Sequence, residues 1–112
     1  MAKVGRFITD PKAGAYCDIV LDNGDKILVN HTKGGFKGGW LTIEKRKWFG
    51  SDVFFKCDLD KPEGKAALAR LTQGLAPDDA HATPLYAFVE HVKDCKSAEE
   101  VKTRCAALMA GR

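Results

Sequence analysis

YCDIVLDNGDKILVNH, residues 16–31, decides the fold. Two runs rich in aliphatic and β-branched residues flank Asn23-Gly24. That pair favours a two-residue hairpin turn, because both turn positions need positive φ. The expected strands cover residues 16–22 and 25–31. In that register Val20 faces Ile27 and Ile19 faces Leu28. Apolar side chains then fall on both faces of the ribbon, which predicts a curled or barrel-like sheet rather than a flat one washed by solvent.

Short β-rich stretches continue on either side. Residues 5–9 read as a first strand ending at Asp10-Pro11, residues 40–48 as a fourth and residues 53–59 as a fifth. Phe49-Gly50-Ser51-Asp52 supplies the turn between the last two. The fifth alternates, with Val53, Phe55, Cys57 and Leu59 on one face and Phe54, Lys56 and Asp58 on the other.

The pattern changes near Pro62. Asp60 with Glu63 resembles a capping box, and Pro62 falls in the first turn, where its missing N–H costs nothing. Leu68, Leu71 and Leu75 form a stripe, and Gly74 is a plausible stop. Thr83-Pro84 opens a second helix carrying Leu85, Phe88, Val89 and Val92 at helical spacing. Ser97 and Glu100 cap a third with Val101, Cys105 and Leu108 on one face. The expectation is an α+β protein: a strongly bent five-stranded antiparallel sheet or partial barrel over residues ~4–59, followed by three short helices packed on it. No long linker intervenes, so residues 1–112 are expected to form a single domain, β-rich over 1–60 and helical over 61–112.

Composition narrows the class. The chain has 112 residues, 45% hydrophobic and 29% charged, with a net charge of +3, which excludes wholesale disorder. Its apolar runs are far shorter than the ~20 residues of a membrane span, so no membrane partner is expected. The start, MAKVGRFITD, lacks the apolar core of a secretory signal, and a cytoplasmic location is expected. The four cysteines, Cys17, Cys57, Cys95 and Cys105, contain no Cys-x-x-Cys pair and read as reduced core residues. Asn30-His31-Thr32 would be a glycosylation site only in a secreted protein. His91 with Cys95, and the cluster Asp78, Asp79 and His81, each fall short of a metal ligand set. No metal, cofactor or catalytic residue is expected, although a Cys/His pair using Cys57 or His31 would need only a pocket in which the two meet.

The positive charge is concentrated. Residues 33–48 hold Lys33, Lys37, Lys45, Arg46 and Lys47 against Glu44 alone, an excess larger than the +3 of the whole chain. Interleaved are Phe36, Trp40 and Trp48, and the doubled KGGFKGGW places glycines beside each cation. Cations along a backbone with aromatic faces beneath bases are the usual means of holding single-stranded nucleic acid, and glycines let a loop approach a phosphate. The glycines match neither a Walker loop nor a dinucleotide fingerprint, since a strand rather than a helix follows them. Strand parity puts Trp40, Thr42, Glu44, Arg46 and Trp48 on one face and Leu41 and Ile43 on the other. The tryptophans then form either an aromatic, cationic platform or a surface covered by the helices.

The order Lys-Gly-Gly-Phe-Lys-Gly-Gly-Trp-Leu-Thr-Ile, followed by Asp52-Val53-Phe54-Phe55, resembles the two RNA-binding strands of cold-shock domains. The match lacks their Gly-Phe-Gly-Phe core and is followed by helices where that small domain would end. The resemblance implies a stacking surface, with Phe36, Trp40, Phe54 and Lys56 as analogous positions. The leading expectation is therefore a non-enzymatic binding domain contacting single-stranded DNA or RNA through Lys33, Phe36, Lys37, Trp40, Lys45, Arg46, Lys47 and Trp48. The alternative is a protein–protein interaction module or homo-oligomer that uses a strand edge, the same hairpin or the helical face around Leu85–Val92.

Overall fold

The computed structural model describes residues 2–10, 14–34 and 37–111; Phe36 and Pro11 lie outside them, as does the side chain of Asp10. Six strands precede three helices: β1 Lys3–Val4, β2 Ile8–Asp10, β3 Gly14–Val20, β4 Lys26–Thr32, β5 Trp40–Arg46, β6 Ser51–Asp58, α1 Pro62–Leu71, α2 Pro84–Val92 and α3 Ala98–Met109. A short 3-10 turn, Ala80–Ala82, precedes α2. All strand pairings are antiparallel in the order β1-β3-β4-β5-β6, with β2 also on β3. The sheet does not close on itself, so the α+β class stands and the partial barrel takes its open form.

The central hairpin forms one residue out of the expected register. Ile19 faces Ile27 and Cys17 faces Val29, whereas Val20 faces Lys26 and Asp18 faces Leu28. The turn is a three-residue loop: Gly24 N–H donates to Leu21 O (2.9 Å), and Leu21 N–H donates to Asp25 O (2.8 Å). Only Gly24 takes positive φ, at 91°, so Asn23 is not the left-handed residue that a two-residue turn would require. The slip sorts the side chains. Cys17, Ile19, Ile27, Val29, Leu41 and Ile43 share one fully buried face, and the opposite face is left half-open.

Two further one-residue shifts shape the edges. Val4 opposes Ile19 while Ile8 opposes Tyr16, so an extra residue bulges out between β1 and β2 and splits the expected first strand. On β6, Ile43 opposes Phe55 but Glu44 opposes Val53. That bulge removes Val53 from the face of Phe55 and Cys57 and leaves it exposed. Phe54 instead lies under Lys102 of α3, with Nζ 5.4 Å from the ring centroid.

The helices cover the buried face. Leu85, Phe88, Val89 and Val92 are all buried, and Phe88 meets Phe55 at 6.1 Å between rings. Val101, Cys105 and Leu108 of α3 join the same core. Ser97 Oγ accepts from Glu100 N–H as expected, while the Glu100 carboxylate accepts from Lys96 N–H. In α1 the buried positions are Gly64 and Ala67, with Leu68 and Leu71 at the rim and Leu75 exposed beyond the helix end. The expected Asp60 cap is not made. Lys61 is the N-cap residue without a side-chain bond, and Asp60 turns to the loop before β5.

Candidate functional site

Strand β5 carries Trp40, Lys45 and Arg46 of the expected binding residues, and its parity holds. Leu41 and Ile43 are buried beneath the helices, so Trp40, Thr42, Glu44 and Arg46 lie on the face that the helices leave open. Trp40 is half-buried there, opposite Asp58, with Lys56 Nζ 5.5 Å from its ring centroid. Trp48 lies beyond the strand at the tip of the β5–β6 hairpin and is 91% exposed. Its ring meets that of the exposed Phe49 edge-on at 4.5 Å. Trp48 is thus uncovered, and Trp40 lies on the strand face opposite Leu41 and Ile43.

The residues do not form one compact hand. Lys33 and Lys37 sit before β5, and Lys45, Arg46, Lys47 and Trp48 at or beyond its far end, about 20 Å away at ~3.3 Å per residue. The far group is ion-paired: Lys45 with Asp25 (3.6 Å), Arg46 with Asp18 (3.5 Å) and Lys47 with Asp52. Lys33 and Lys37 meet no acid among the described residues. Phe36 lies outside those residues.

The second glycine pair serves the protein itself. Gly38 and Gly39 N–H donate to the two Asp60 carboxylate oxygens at 2.7 and 3.1 Å, and Gly39 O accepts from Leu59 N–H at 2.8 Å. Gly39 takes φ +75°, and a Cβ there would lie 2.3 Å from Thr32 O. These glycines answer to a close backbone crossing, and their N–H groups are already engaged. Gly38 O accepts a hydrogen bond from His31 Nε2 at 2.8 Å. His31 is only 9% exposed and faces the helix side of the sheet, beside Leu41.

The remaining titratable groups read as structural. Cys17, Cys57, Cys95 and Cys105 are all free and buried. Burial pushes each thiol up, Cys105 to about 12, the opposite of an activated nucleophile. Asp79 caps the 3-10 turn through His81 N–H and pairs with His81 Nδ1 at 3.0 Å. Burial lowers the pKa of the His91 imidazole, whose Nε2 has no hydrogen-bond partner among the described residues. Among the described residues no three His, Cys, Asp or Glu side chains are placed to hold a metal ion, and no helix is long and apolar enough to cross a membrane. No family model, curated protein or solved structure matches the chain.

Proposed function

We propose that this chain is a non-enzymatic binding domain that takes single-stranded nucleic acid along the open face of β5. The observation that carries the reading is Trp48, 91% exposed at the hairpin tip, with Trp40 half-buried on the strand face opposite the helices and Lys56 near its ring. Bases would stack on Trp40 at one end and Trp48 at the other, each stack contributing roughly 1–3 kcal/mol. Lys33, Lys37 and Lys56 have no ion-pair partner among the described residues and would neutralise phosphates directly. Lys45, Arg46 and Lys47 stay paired with their acids, so the Trp48 end contributes stacking rather than phosphate neutralisation. Four free buried thiols fit a reducing compartment such as the cytoplasm.

The test is a fluorescence titration with a single-stranded homopolymer at low salt. Quenching should occur, and Trp40→Phe and Trp48→Phe should each remove part of it. With three unpaired lysines engaged, log K against log salt should fall with a slope of about −2. Absence of both quenching and retention at low salt overturns the reading.

A second reading draws on the hairpin tip. Trp48, Phe49 and Val53 are exposed at the start of β6, which has a ladder partner on one side only. A protein partner could add a strand there. The α2 stripe is spent on the core, so the helical face offers this rival little. Light scattering separates the two: self-association lost in Trp48→Ser favours the rival.

A further inference from the structure

We infer that the helix-side cavity beneath Lys33 and Lys37 is a site for a phosphate monoester carried on a small ring-bearing body that can also donate a hydrogen bond. This inference shares Lys33 and Lys37 with the β5 reading but uses neither Trp40 nor Trp48. The cavity lies where the loop before β5 passes the start of α2. Its outer part, ≈ 300 Å³, is lined by Lys33, Lys37, His31 and Thr83, among others. A second part, ≈ 220 Å³, shares His31 and Thr83 and is walled by Phe7, Leu85 and Tyr86. The outer volume reaches the lower bound of ordinary small-molecule sites.

Three features fix the chemistry. Lys33 and Lys37 bring two positive charges without an acid among the described residues, and the Asp60 carboxylate beside that loop is occupied by Gly38 and Gly39 N–H. Thr83 does not cap α2 with its side chain, because its hydroxyl donates to Ala80 O at 2.7 Å. The first-turn N–H groups of Leu85 and Tyr86 therefore have no side-chain cap, and the positive end of the helix reinforces the lysines. His31 supplies the third feature. Gly38 O can only accept, so Nε2 carries a proton; in the Nε2–H tautomer Nδ1 is an acceptor, and it has no protein partner among the described residues. A nine-tenths-buried imidazole lining both parts of the cavity is matched by a hydroxyl or N–H on the ligand. Phe7 and Tyr86, stacked at 4.0 Å and 8°, give the inner part a rigid apolar wall for a ring.

A mononucleotide has this chemistry, and so does the phosphorylated end of a nucleic-acid strand. The test is an amide-shift NMR titration of the intact chain with adenosine monophosphate, adenosine, inorganic phosphate and a trinucleotide with or without a terminal phosphate. Adenosine monophosphate should shift the Lys33, Gly38, Leu85 and Tyr86 amides, and the Lys33→Ala/Lys37→Ala double variant should weaken it at least about tenfold. Adenosine should bind more weakly by a similar factor. A terminally phosphorylated trinucleotide that outbinds the mononucleotide, with no such gain for its unphosphorylated form, assigns the source to a strand end; equal affinities assign it to the free nucleotide. No shift at those amides with roughly 5 mM ligand, or shifts indifferent to the lysine variant, overturns the site. Inorganic phosphate binding as tightly as the mononucleotide overturns the ring and donor contacts. Both substitutions are at exposed loop positions, so loss of fold does not obscure the result. Homopolymer quenching of Trp48 in the parent chain, together with no amide shift from adenosine monophosphate, would leave the β5 reading standing while this one fails.

Discussion

Asp60→Ala should loosen the loop that presents Lys33 and Lys37 while leaving the sheet intact. The carboxylate accepts two backbone N–H groups, from Gly38 at 2.7 Å and Gly39 at 3.1 Å, across 22 and 21 residues of chain. Hydrogen bonds to a charged acceptor contribute ~1.5–3 kcal/mol each, and alanine leaves both donors without a protein partner. Asp60 and Gly38 are only half-buried, so water replaces part of the loss, whereas Gly39 is buried. Discounting the gross figure by about half gives ~2 kcal/mol. If the loop opens on its own, Gly38 and Gly39 amides should exchange roughly 30-fold faster by NMR hydrogen exchange. If the loss is global, the urea midpoint should fall by about 1 M with an unchanged slope. Asp60→Asn should recover little, since its amide nitrogen would face one of the two donors. The reasoning fails if Asp60→Ala alters neither the midpoint nor those two exchange rates.

Gly64→Ala should destabilise the fold despite alanine's better helix propensity. A Cβ there would lie 2.0 Å from Asp58 O, so overpacking of roughly 3 kcal/mol outweighs a propensity gain of about 1; a melting temperature equal to or above that of the parent refutes this. The cysteines should resist a thiol reagent near pH 8 until the chain unfolds. Because their folded pKa values are raised, stability should also fall as pH rises through the unfolded value near 8.5, and rapid native labelling would contradict both statements. Asp25 is held below its ordinary value, first by Ala98 N–H and then by the Asn23 side chain. Its contribution is present above the unfolded value near 4 and is lost as pH falls through the lower folded value; Asp25→Asn should lower stability at pH 7 and flatten the acid limb of an equilibrium unfolding series.

The sequence was legible where structure is local. Pro62 and Pro84 in first turns and Ser97 at its cap each declare themselves within a few residues, and α2 and α3 formed with the expected buried faces. The parity of β5 was readable for the same reason, because Leu41 and Ile43 alternate with polar neighbours. The misreadings of strand register are one-residue shifts, and the one at Asn23 is set by distant partners. Asn23-Gly24 alone favours a two-residue turn, but Asn23 N–H is drawn to Lys96 O, and the Asp25 carboxylate accepts Ala98 N–H across 73 residues. Asp60 was misread similarly: its local pattern is a cap, yet two glycine N–H groups outcompete it. His31 was read only as a possible partner of a cysteine in a pocket, although it alternates with Ile27 and Val29, and that alternation places it on the buried face.

The excess charge of residues 33–48 therefore does not describe one surface. Ion pairing with Asp18, Asp25 and Asp52 neutralises the Trp48 end of β5, while Lys33 and Lys37 keep their charge at the other. The first end is exposed, aromatic and close to neutral, and contributes apolar contact that is tolerant of salt. The second is concave and cationic, so its contribution falls with counterion concentration. A ligand spanning β5 would show both components, with Trp48→Ser lowering affinity at every salt concentration and Lys33→Ala/Lys37→Ala reducing the salt slope. A ligand that uses one end would respond to only one of the two changes. The pair of variants measured across a salt series thus reports which end of the strand is in contact, whatever the chemical nature of the partner.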